Sequence, residues 1–171
     1  PAAVAGHSLG EFSALVANNT ISFEDGLKLV FLRAKAMQKS CENTNGTMAA
    51  ILGLDDEKIK EICTNYNGNV IAANFNCPGQ VVISGEINAV KDICEKFNSL
   101  GARRSIILPV GGAFHSSLMN DAKSELKEAI DSTNFSEPSC PIYQNFNANK
   151  TLLISEIKNN LINQLTNPVL W

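Results

Sequence analysis

Residues 6–10 read Gly6-His7-Ser8-Leu9-Gly10, a Gly-x-Ser-x-Gly pentapeptide between a short apolar run and a helix-like stretch. The preceding residues 1–5 are small and apolar, as in a buried strand, and residues 11–17 are expected to form a short helix. Between a strand and a helix, this pentapeptide predicts a nucleophile elbow, a tight turn that glycine flanks permit. The Ser8 hydroxyl would then stand at the helix N-terminus, where the Leu9 N–H and the positive helix end can stabilise an oxyanion.

The 171-residue chain has a globular composition, with 44% hydrophobic residues and a net charge of −3. This charge gives no basic surface for nucleic acid or an anionic membrane, and no apolar run is long enough to span a bilayer. The five cysteines are widely spaced without a Cys-x-x-Cys pair, so we expect neither a metal site nor a disulfide framework, and a reducing compartment is favoured. The chain begins without Met in an expected buried strand, and we therefore expect it to be a segment of a longer protein.

A capping box at Ser22 to Asp25 predicts the start of a helix that runs to about Lys39. Apolar residues at helical spacing predict its buried stripe, namely Leu27, Val30, Phe31, Ala34 and Met37. Arg33 is expected at the margin of that stripe. Its stem can be covered there while the guanidinium reaches a cleft, although most such arginines only decorate a helix edge.

Residues 47–109 carry a self-contained pattern that predicts an inserted unit in an α/β domain formed by residues 1–46 and 110–171. The expected elements are a strand at 47–53, a helix at 55–65, strands at 69–75 and 80–84 joined by a turn at 76–79, a helix at 87–100 and a strand at 102–109. The order βαββαβ is that of a ferredoxin-like unit, with two helices on one face of a four-stranded antiparallel sheet.

After the insertion, the pattern predicts a helix at 117–131, a strand at 141–148 and a helix at 154–165. The inward face of the first helix is expected to consist of Leu118, Met119, Ala122, Leu126, Ala129 and Ile130. The last helix should end before Asn167-Pro168, because proline disfavours a helical conformation at the preceding residue.

A serine nucleophile needs a base within hydrogen-bond reach, and the chain has two histidines. His7 is a poor candidate because adjacent side chains at a strand end point in opposite directions. His115 follows a glycine-rich stretch that suits delivery of a side chain into a cleft, but a purely structural histidine remains an alternative. The sequence indicates no acidic residue for a Ser-His-acid triad, since Asp121 lies too far along the next helix to orient His115 easily. A backbone carbonyl would suffice to orient the base.

Five motifs in order give the chain a resemblance to malonyl-CoA:acyl carrier protein transacylases of type II fatty acid synthesis. They are Gly6–Glu11, the arginine segment Leu32–Gln38, Asn74–Gln80, Gly112–Ser116 and Gln164–Trp171. The resemblance covers essentially the whole chain, including the expected insertion. It implies a partial α/β-hydrolase-like acyltransferase core with an inserted ferredoxin-like subdomain.

The resemblance also implies a role for each matching residue. Ser8 would attack the thioester of malonyl-CoA and carry a malonyl ester, with the Leu9 N–H as an oxyanion donor. His115 would be the base, oriented by the backbone carbonyl of Gln164, and Arg33 would bind the malonyl carboxylate. The phosphopantetheine thiol of acyl carrier protein would then accept the malonyl group.

Two further residues are expected to bind substrate. The Ala-Phe-His sequence that contains Phe114 goes with malonyl in the family, which favours malonyl over methylmalonyl. Asn74 begins a stretch that lines the family's cleft, although Asn, Pro and Gly also suit a simple turn between strands. We expect no cofactor, no metal, no nucleic acid or membrane partner, a monomer, and a cytoplasmic or organellar matrix location (plastid or mitochondrion).

Other interpretations remain open at this point. A serine hydrolase such as a thioesterase, a non-catalytic relic that binds carrier protein, and an acyltransferase domain of a multidomain synthase are alternatives. The family's N-terminal segment, whose glutamine loop supplies a second oxyanion donor, is absent from this sequence, as are its final strand and helix. Loss of one oxyanion donor typically lowers the rate about 100- to 1,000-fold, so the fragment alone is expected to be impaired.

Overall fold

The computed structural model describes all residues 1–171 as eight β-strands and six α-helices. In chain order these are β1 (Val4–Ala5), α1 (Gly10–Ala17), α2 (Phe23–Asn43), β2 (Gly46–Leu52), α3 (Asp56–Thr64), β3 (Val70–Cys77), β4 (Gln80–Glu86), α4 (Ile87–Ser99), β5 (Arg104–Ile107), α5 (Asn120–Ser132, after a 3-10 turn at Ser117–Met119), β6 (Ile142–Tyr143), β7 (Lys150–Thr151), α6 (Ile154–Gln164) and β8 (Val169–Leu170). The strands form two sheets. None of the helices is long and apolar enough to cross a membrane.

The smaller sheet has the order β1-β6-β7 and carries the nucleophile turn at the end of β1. β1 and β6 are parallel, with Val4 opposite Ile142 and Ala5 opposite Tyr143. Apolar side chains of α1, α2, α5 and α6 pack together beside it, with Phe12, Leu15, Leu29, Leu126 and Leu161 fully buried. Burial of such side chains stabilises this half by roughly 1.5–3 kcal/mol for each residue.

The larger sheet has the order β5-β2-β4-β3-β8. Alternation along its strands separates two faces, as the pleat requires. Ile51 and Ile83 pack with residues of α3 and α4 on one face. Met48 and Val82 lie on the other face, which is turned towards the half of the chain that carries Ser8.

The larger sheet contains five strands, instead of the four expected. The additional strand β8 pairs in parallel with β3, where Val169 lies opposite Asn74 and Leu170 opposite Phe75. A two-residue strand after a proline has no periodicity of its own, and its conformation follows from the open edge that β3 offers. The C-terminal end of the chain is thereby fixed beside Asn74.

The predicted buried stripe of α2 is largely wrong, and the helix extends to Asn43. Leu27 and Phe31 are each 60% exposed, and of the predicted stripe only Met37 is buried. The buried face consists of Gly26, Leu29, Arg33, Ala36, Met37 and Ser40. Small residues decide this orientation, since a Cβ on Gly26 would lie 2.7 Å from Val16 Cγ2. A search for large apolar residues therefore selects the wrong side of the helix.

The strand expected at residues 141–148 is limited to β6. After Tyr143 the chain turns, with the Ala148 N–H donating to the Gln144 carbonyl at 2.9 Å and Ala148 at φ 54°. The turn carries Gln144 and Asn145 inward, where both side chains are buried. The inward face of α5 is close to the expectation, with Met119, Ala122, Leu126 and Ile130 buried and Leu118 and Ala129 half-buried.

Candidate active site

Ser8 occupies the turn between β1 and α1 in a left-handed backbone conformation, with φ 51°. Such a conformation is uncommon for a residue other than glycine, and it tends to occur at functional sites. The backbone N–H and the backbone carbonyl of Ser8 both form hydrogen bonds to side chains of the surrounding protein. Its N–H donates to Asn145 Oδ1 at 2.6 Å, and its carbonyl accepts from Gln164 Nε2 at 3.0 Å. The surrounding fold therefore holds the strained serine in place.

The two glycines of the pentapeptide contribute unequally to the turn. A Cβ on Gly6 would lie 2.0 Å from the backbone carbon and oxygen of Gly10, whereas a Cβ on Gly10 would meet no atom within 4 Å. The close crossing of the two ends of the turn thus requires glycine only at position 6.

We expect Gly6→Ala to destabilise the fold by about 3 kcal/mol, because the clash is with main chain that cannot rotate away. Gly10→Ala is the matched control, and it should leave stability within about 1 kcal/mol of the parent, on the stabilising side, because alanine is the better helix former. Denaturant unfolding of both variants measures the difference. Equal midpoints would contradict the close crossing.

Ser8 and His115 form a hydrogen-bonded pair, with 2.8 Å between Ser8 Oγ and His115 Nε2. The other ring nitrogen, Nδ1, lies 2.8 Å from the carbonyl oxygen of Gln164. A carbonyl can only accept, so Nδ1 carries the proton and Nε2 is free to accept the Ser8 hydroxyl proton. His115 also has a left-handed backbone, with φ 57°. No carboxylate is needed to orient the ring.

Burial lowers the pKa of His115 from 6.5 to about 4, against the opposing effect of its hydrogen bond to Gln164. The charges of Arg33 and His7 lower this pKa further. The imidazole is therefore neutral at neutral pH and available as a base.

Arg33 lies at the centre of the buried face of α2, whereas the sequence placed it at a margin. Its side chain is 5% exposed, and Nη2 donates to Ser8 Oγ at 2.9 Å. Nε has no hydrogen-bond partner, and no carboxylate forms an ion pair with the guanidinium. Burial lowers the pKa of Arg33 to about 10, so the group stays charged at neutral pH. The cleft thus contains a cation beside the nucleophile with unused donors.

A cleft of about 320 Å³ opens between the two sheets at Ser8. It is lined by His7, Ser8, Arg33, Met37, Met48, Asn74, Asn76, Val82, Leu108, Phe114 and His115. The cleft brings together five of the residues singled out in the sequence, namely Ser8, Arg33, Asn74, Phe114 and His115. Its volume and mixed lining suit a small acyl group with one charged end.

The remaining predicted residues lie around this cleft. Gln164 is behind His115, and its side chain also contacts Ser8. Leu9 is the N-cap residue of α1, and its side chain lines a separate apolar groove. Of its groups, only the backbone N–H is therefore available to contact a substrate in the cleft. Asn74 is 6% exposed on β3 and does not belong to a turn, because the hairpin turns only at Pro78-Gly79. His7 faces Asn76, with 2.9 Å between Nε2 and Oδ1.

A buried polar cluster lies beneath the nucleophile turn, and sequence reasoning missed all of its members except Glu11. Glu11 accepts hydrogen bonds from the backbone N–H of Asn145 and from Gln144 Nε2, and Asn145 contacts the turn itself. Burial raises the pKa of Glu11 to about 7, although these hydrogen bonds and Arg33 oppose the rise. The position of Glu11 next to the pentapeptide predicts such a supporting role, whereas no signal in the sequence marks Asn145.

The structure contains no group of three His, Cys, Asp or Glu side chains that could hold a metal ion. All five cysteines are free thiols. The reactive groups that line the cleft are the Ser8 hydroxyl, the His115 imidazole and the Arg33 guanidinium.

The chain is similar to known proteins along its whole length. A malonyl CoA-acyl carrier protein transacylase from Staphylococcus aureus (strain MRSA252) is 41% identical over 167 residues, which are 96% of this chain and 54% of that protein. The crystal structure of an acyl-carrier-protein S-malonyltransferase from Burkholderia pseudomallei 1710b has a TM-score of 0.95 at 41% identity, and the match covers 100% of this chain and 56% of that one. The chain thus spans about half the length of these relatives.

A third similar structure is that of a type II PKS acyl-carrier protein in complex with its malonyl-transacylase. Its TM-score is 0.95 at 38% identity, over 100% of this chain and 56% of that one. The family model described as an acyl transferase domain matches residues 1–170, which include every residue that lines the cleft. The chain therefore belongs to the acyl transferase domain family.

Proposed function

We propose that the protein containing this chain transfers a malonyl group from malonyl-CoA to the phosphopantetheine thiol of acyl carrier protein, as in fatty acid synthesis. One observation carries the proposal: Ser8 Oγ lies 2.8 Å from a neutral histidine and 2.9 Å from a buried guanidinium without an ion-pair partner. The first contact suits acyl transfer, and the second suits an acyl group that carries its own carboxylate. The names of the relatives support the same reaction.

The first half-reaction forms a malonyl ester. Ser8 Oγ attacks the thioester carbon while His115 Nε2 takes the hydroxyl proton, and the carbonyl oxygen becomes an oxyanion. The Leu9 N–H at the start of α1 is an available donor to this oxyanion. When the carbon–sulfur bond breaks, His115 returns the proton to the sulfur of coenzyme A. The malonyl group is then an ester of Ser8.

The second half-reaction repeats these steps with a different thiol. The phosphopantetheine thiol gives its proton to His115 and attacks the ester carbon. The bond from this carbon to Ser8 Oγ breaks, and the proton passes from His115 to Ser8. The products are malonyl-carrier protein and the free enzyme. No cofactor is required for either half.

Charge recognition explains why malonyl is preferred. The planar guanidinium of Arg33 matches a carboxylate with two parallel donors, which an ammonium group cannot do. A desolvated charge pair is worth roughly 2–5 kcal/mol, whereas an extra methyl group changes binding in an apolar pocket by about 1–3 kcal/mol. We therefore assign the carboxylate to Arg33 and a secondary selection against branched acyl groups to Phe114, with Asn74 as a polar contact on β3.

Intact-protein mass spectrometry tests this proposal. The complete protein is mixed briefly with malonyl-CoA, and a single malonyl adduct is expected. Addition of holo-carrier protein should remove the adduct and acylate the carrier, while apo-carrier protein, which lacks the thiol, is the matched control. Free malonate formed without carrier would indicate a hydrolase. Binding of carrier protein without any adduct would indicate a non-catalytic relic.

The low pKa of His115 predicts an unusual pH profile. Acylation loses its base as the pH falls through the pKa of His115, because the imidazolium cannot accept the Ser8 proton. With that pKa at about 4, the single-turnover acylation rate should stay constant from pH 8 to about pH 5 and fall only below. Rapid-quench measurement of adduct formation gives the profile. A loss centred near pH 6.5 would show that the substrate-bound site does not keep the imidazole desolvated.

We also propose the finer architecture that the resemblance implies, with residues 47–109 as a ferredoxin-like subdomain inserted in a hydrolase-like core of residues 1–46 and 110–171. The strand order β5-β2-β4-β3, antiparallel throughout, supports the subdomain, and the turn from β1 into α1 supports the core. A monomer that works in the cytoplasm or an organellar matrix, without a membrane partner, completes the proposal.

A further inference from the structure

The side chain of Asn145 lies directly beneath the nucleophile turn and forms hydrogen bonds to its main chain. Asn145 Oδ1 accepts from the Ser8 N–H at 2.6 Å, and Asn145 Nδ2 donates to the Gly6 carbonyl at 2.9 Å. The residue is 2% exposed and does not line the cleft. Its amide thus bridges the two ends of the turn that brings Ser8 to the surface.

This pair of hydrogen bonds continues the parallel ladder between β1 and β6. In a parallel pair of strands, the N–H of a residue donates to the carbonyl of one residue on the neighbouring strand. The carbonyl of the same residue accepts from the N–H that lies two residues further along that neighbouring strand. The register, with Ala5 opposite Tyr143, makes Asn145 the next residue to bond in this way, to the Gly6 carbonyl and the Ser8 N–H. The side-chain amide of Asn145 makes both bonds in place of its main chain.

The main chain of Asn145 is consequently free for other partners. Its N–H donates to the Glu11 carboxylate, and its carbonyl accepts from the Leu170 N–H at 2.9 Å. Gln164 Nε2 adds a contact of 3.3 Å to Asn145 Oδ1, while the Gln164 carbonyl holds His115. Asn145 is therefore the point at which the nucleophile turn, the support of the base and the end of β8 meet.

We propose that Asn145 is a positioning residue, whose side-chain amide holds the Gly6-to-Ser8 backbone so that Ser8 Oγ stays within reach of His115 Nε2. Ser8 is strained at φ 51°, and a strained residue keeps its conformation only where its surroundings determine it. The Ser8 N–H is occupied by Asn145, which leaves the Leu9 N–H as the free donor at the turn. The inference rests on the proposed function only for the identity of the acyl donor.

The test compares Asn145→Ala with a matched control, Asn18→Ala, in the complete protein. Asn18 is 0% exposed and also bonds main chain, at the Cys140 carbonyl, but it does not contact the turn. Two rates are measured: malonylation of Ser8 by malonyl-CoA, and labelling of Ser8 by a fluorophosphonate. In the labelling, Ser8 Oγ bonds to phosphorus, fluoride leaves and the serine proton passes to His115. The labelling rate therefore reports on the Ser8–His115 pair and does not depend on recognition of the malonyl group by Arg33.

For Asn145→Ala, we expect both limiting rates to fall on the order of a hundredfold, because a misplaced nucleophile loses its alignment with the base. The KM for malonyl-CoA should change by less than about threefold, since Arg33 is untouched. Asn18→Ala should lose stability while its rates stay within about threefold of the parent. A merely structural role for Asn145 would make the two variants behave alike.

Wild-type rates in folded Asn145→Ala would overturn the proposal. If Asn145→Ala does not fold, Asn145→Asp decides, because an aspartate keeps the acceptor for the Ser8 N–H and loses the donor to Gly6. Slower labelling of Asn145→Asp than of Asn18→Ala supports the proposal, and equal labelling overturns it. Labelling of the wild type by fluorophosphonate without malonylation would refute the proposed function alone.

Discussion

Replacing Ser8 with alanine will abolish the covalent malonyl adduct and lower kcat for transfer by on the order of a millionfold. The alanine removes the one hydroxyl that lies within 2.8 Å of His115 Nε2, and His115 then has no proton to accept. His115→Ala should lower kcat by about the same factor, because neither Ser8 nor His115 can carry out acyl transfer without the other. The double variant should be no slower than either single variant, since residues that act as a unit are not additive.

Ser13→Ala is the matched control for this loss. Ser13 lies on α1 after the nucleophile turn, is exposed and does not line the cleft, so its variant should acylate at the parental rate. Mass spectrometry and single-turnover kinetics follow these four variants and the parent protein. An adduct that persists in Ser8→Ala would assign the nucleophile to another residue and remove the basis for the pairing with His115.

The nucleophile turn was predictable because its signals are local. An apolar strand, the pentapeptide and a helix follow one another within the first residues of the chain, and Ser8 lies where they meet. The start of α2 was equally local, with the Asp25 N–H donating to Ser22 Oγ at 3.0 Å. Short-range chemistry of this kind can be interpreted from the residues themselves.

The rest of the site depends on contacts between distant parts of the chain. Ser8 and His115 are 107 positions apart, and Ser8 and Asn145 are 137 apart. The residues themselves gave His115 and Arg33 as candidates, and the resemblance to a family added their roles and Gln164, but no motif marked Asn145. Its partners within the turn are the Ser8 N–H and the Gly6 carbonyl, main-chain groups that leave no trace in the sequence.

Tertiary packing determines two features that the hydrophobic periodicity of the sequence does not predict, namely the buried face of α2 and the strand β8. The buried face of α2 follows the small residues that let the helices approach closely, so Arg33 is buried and Phe31 is exposed. Strand β8 exists because β3 presents an open edge, and its two residues carry no pattern. The same packing buries the Arg33 guanidinium at the cleft without a carboxylate within ion-pair distance.

Arg33→Ala should lower kcat/KM for malonylation roughly 30- to 5,000-fold, which corresponds to a loss of about 2–5 kcal/mol of transition-state stabilisation. The variant loses the cation that would pair with the malonyl carboxylate in a site shielded from water. Acylation by acetyl-CoA should change far less, because an acetyl group has no carboxylate. The ratio of malonyl to acetyl adduct, measured by mass spectrometry with both donors present, should therefore fall steeply. Arg33→Lys should recover only part of the ratio, since an ammonium cannot present two parallel donors.

Lys35→Ala is the matched control, because Lys35 is an exposed cation on the same helix that does not line the cleft. Its variant should keep the parental ratio. The acetyl rate separates two roles of Arg33, whose Nη2 also donates to Ser8 Oγ at 2.9 Å. An equal loss with both donors would mean that Arg33 acts on the nucleophile and not on the carboxylate. A loss confined to malonyl would mean that the unpaired guanidinium selects the substrate by its charge.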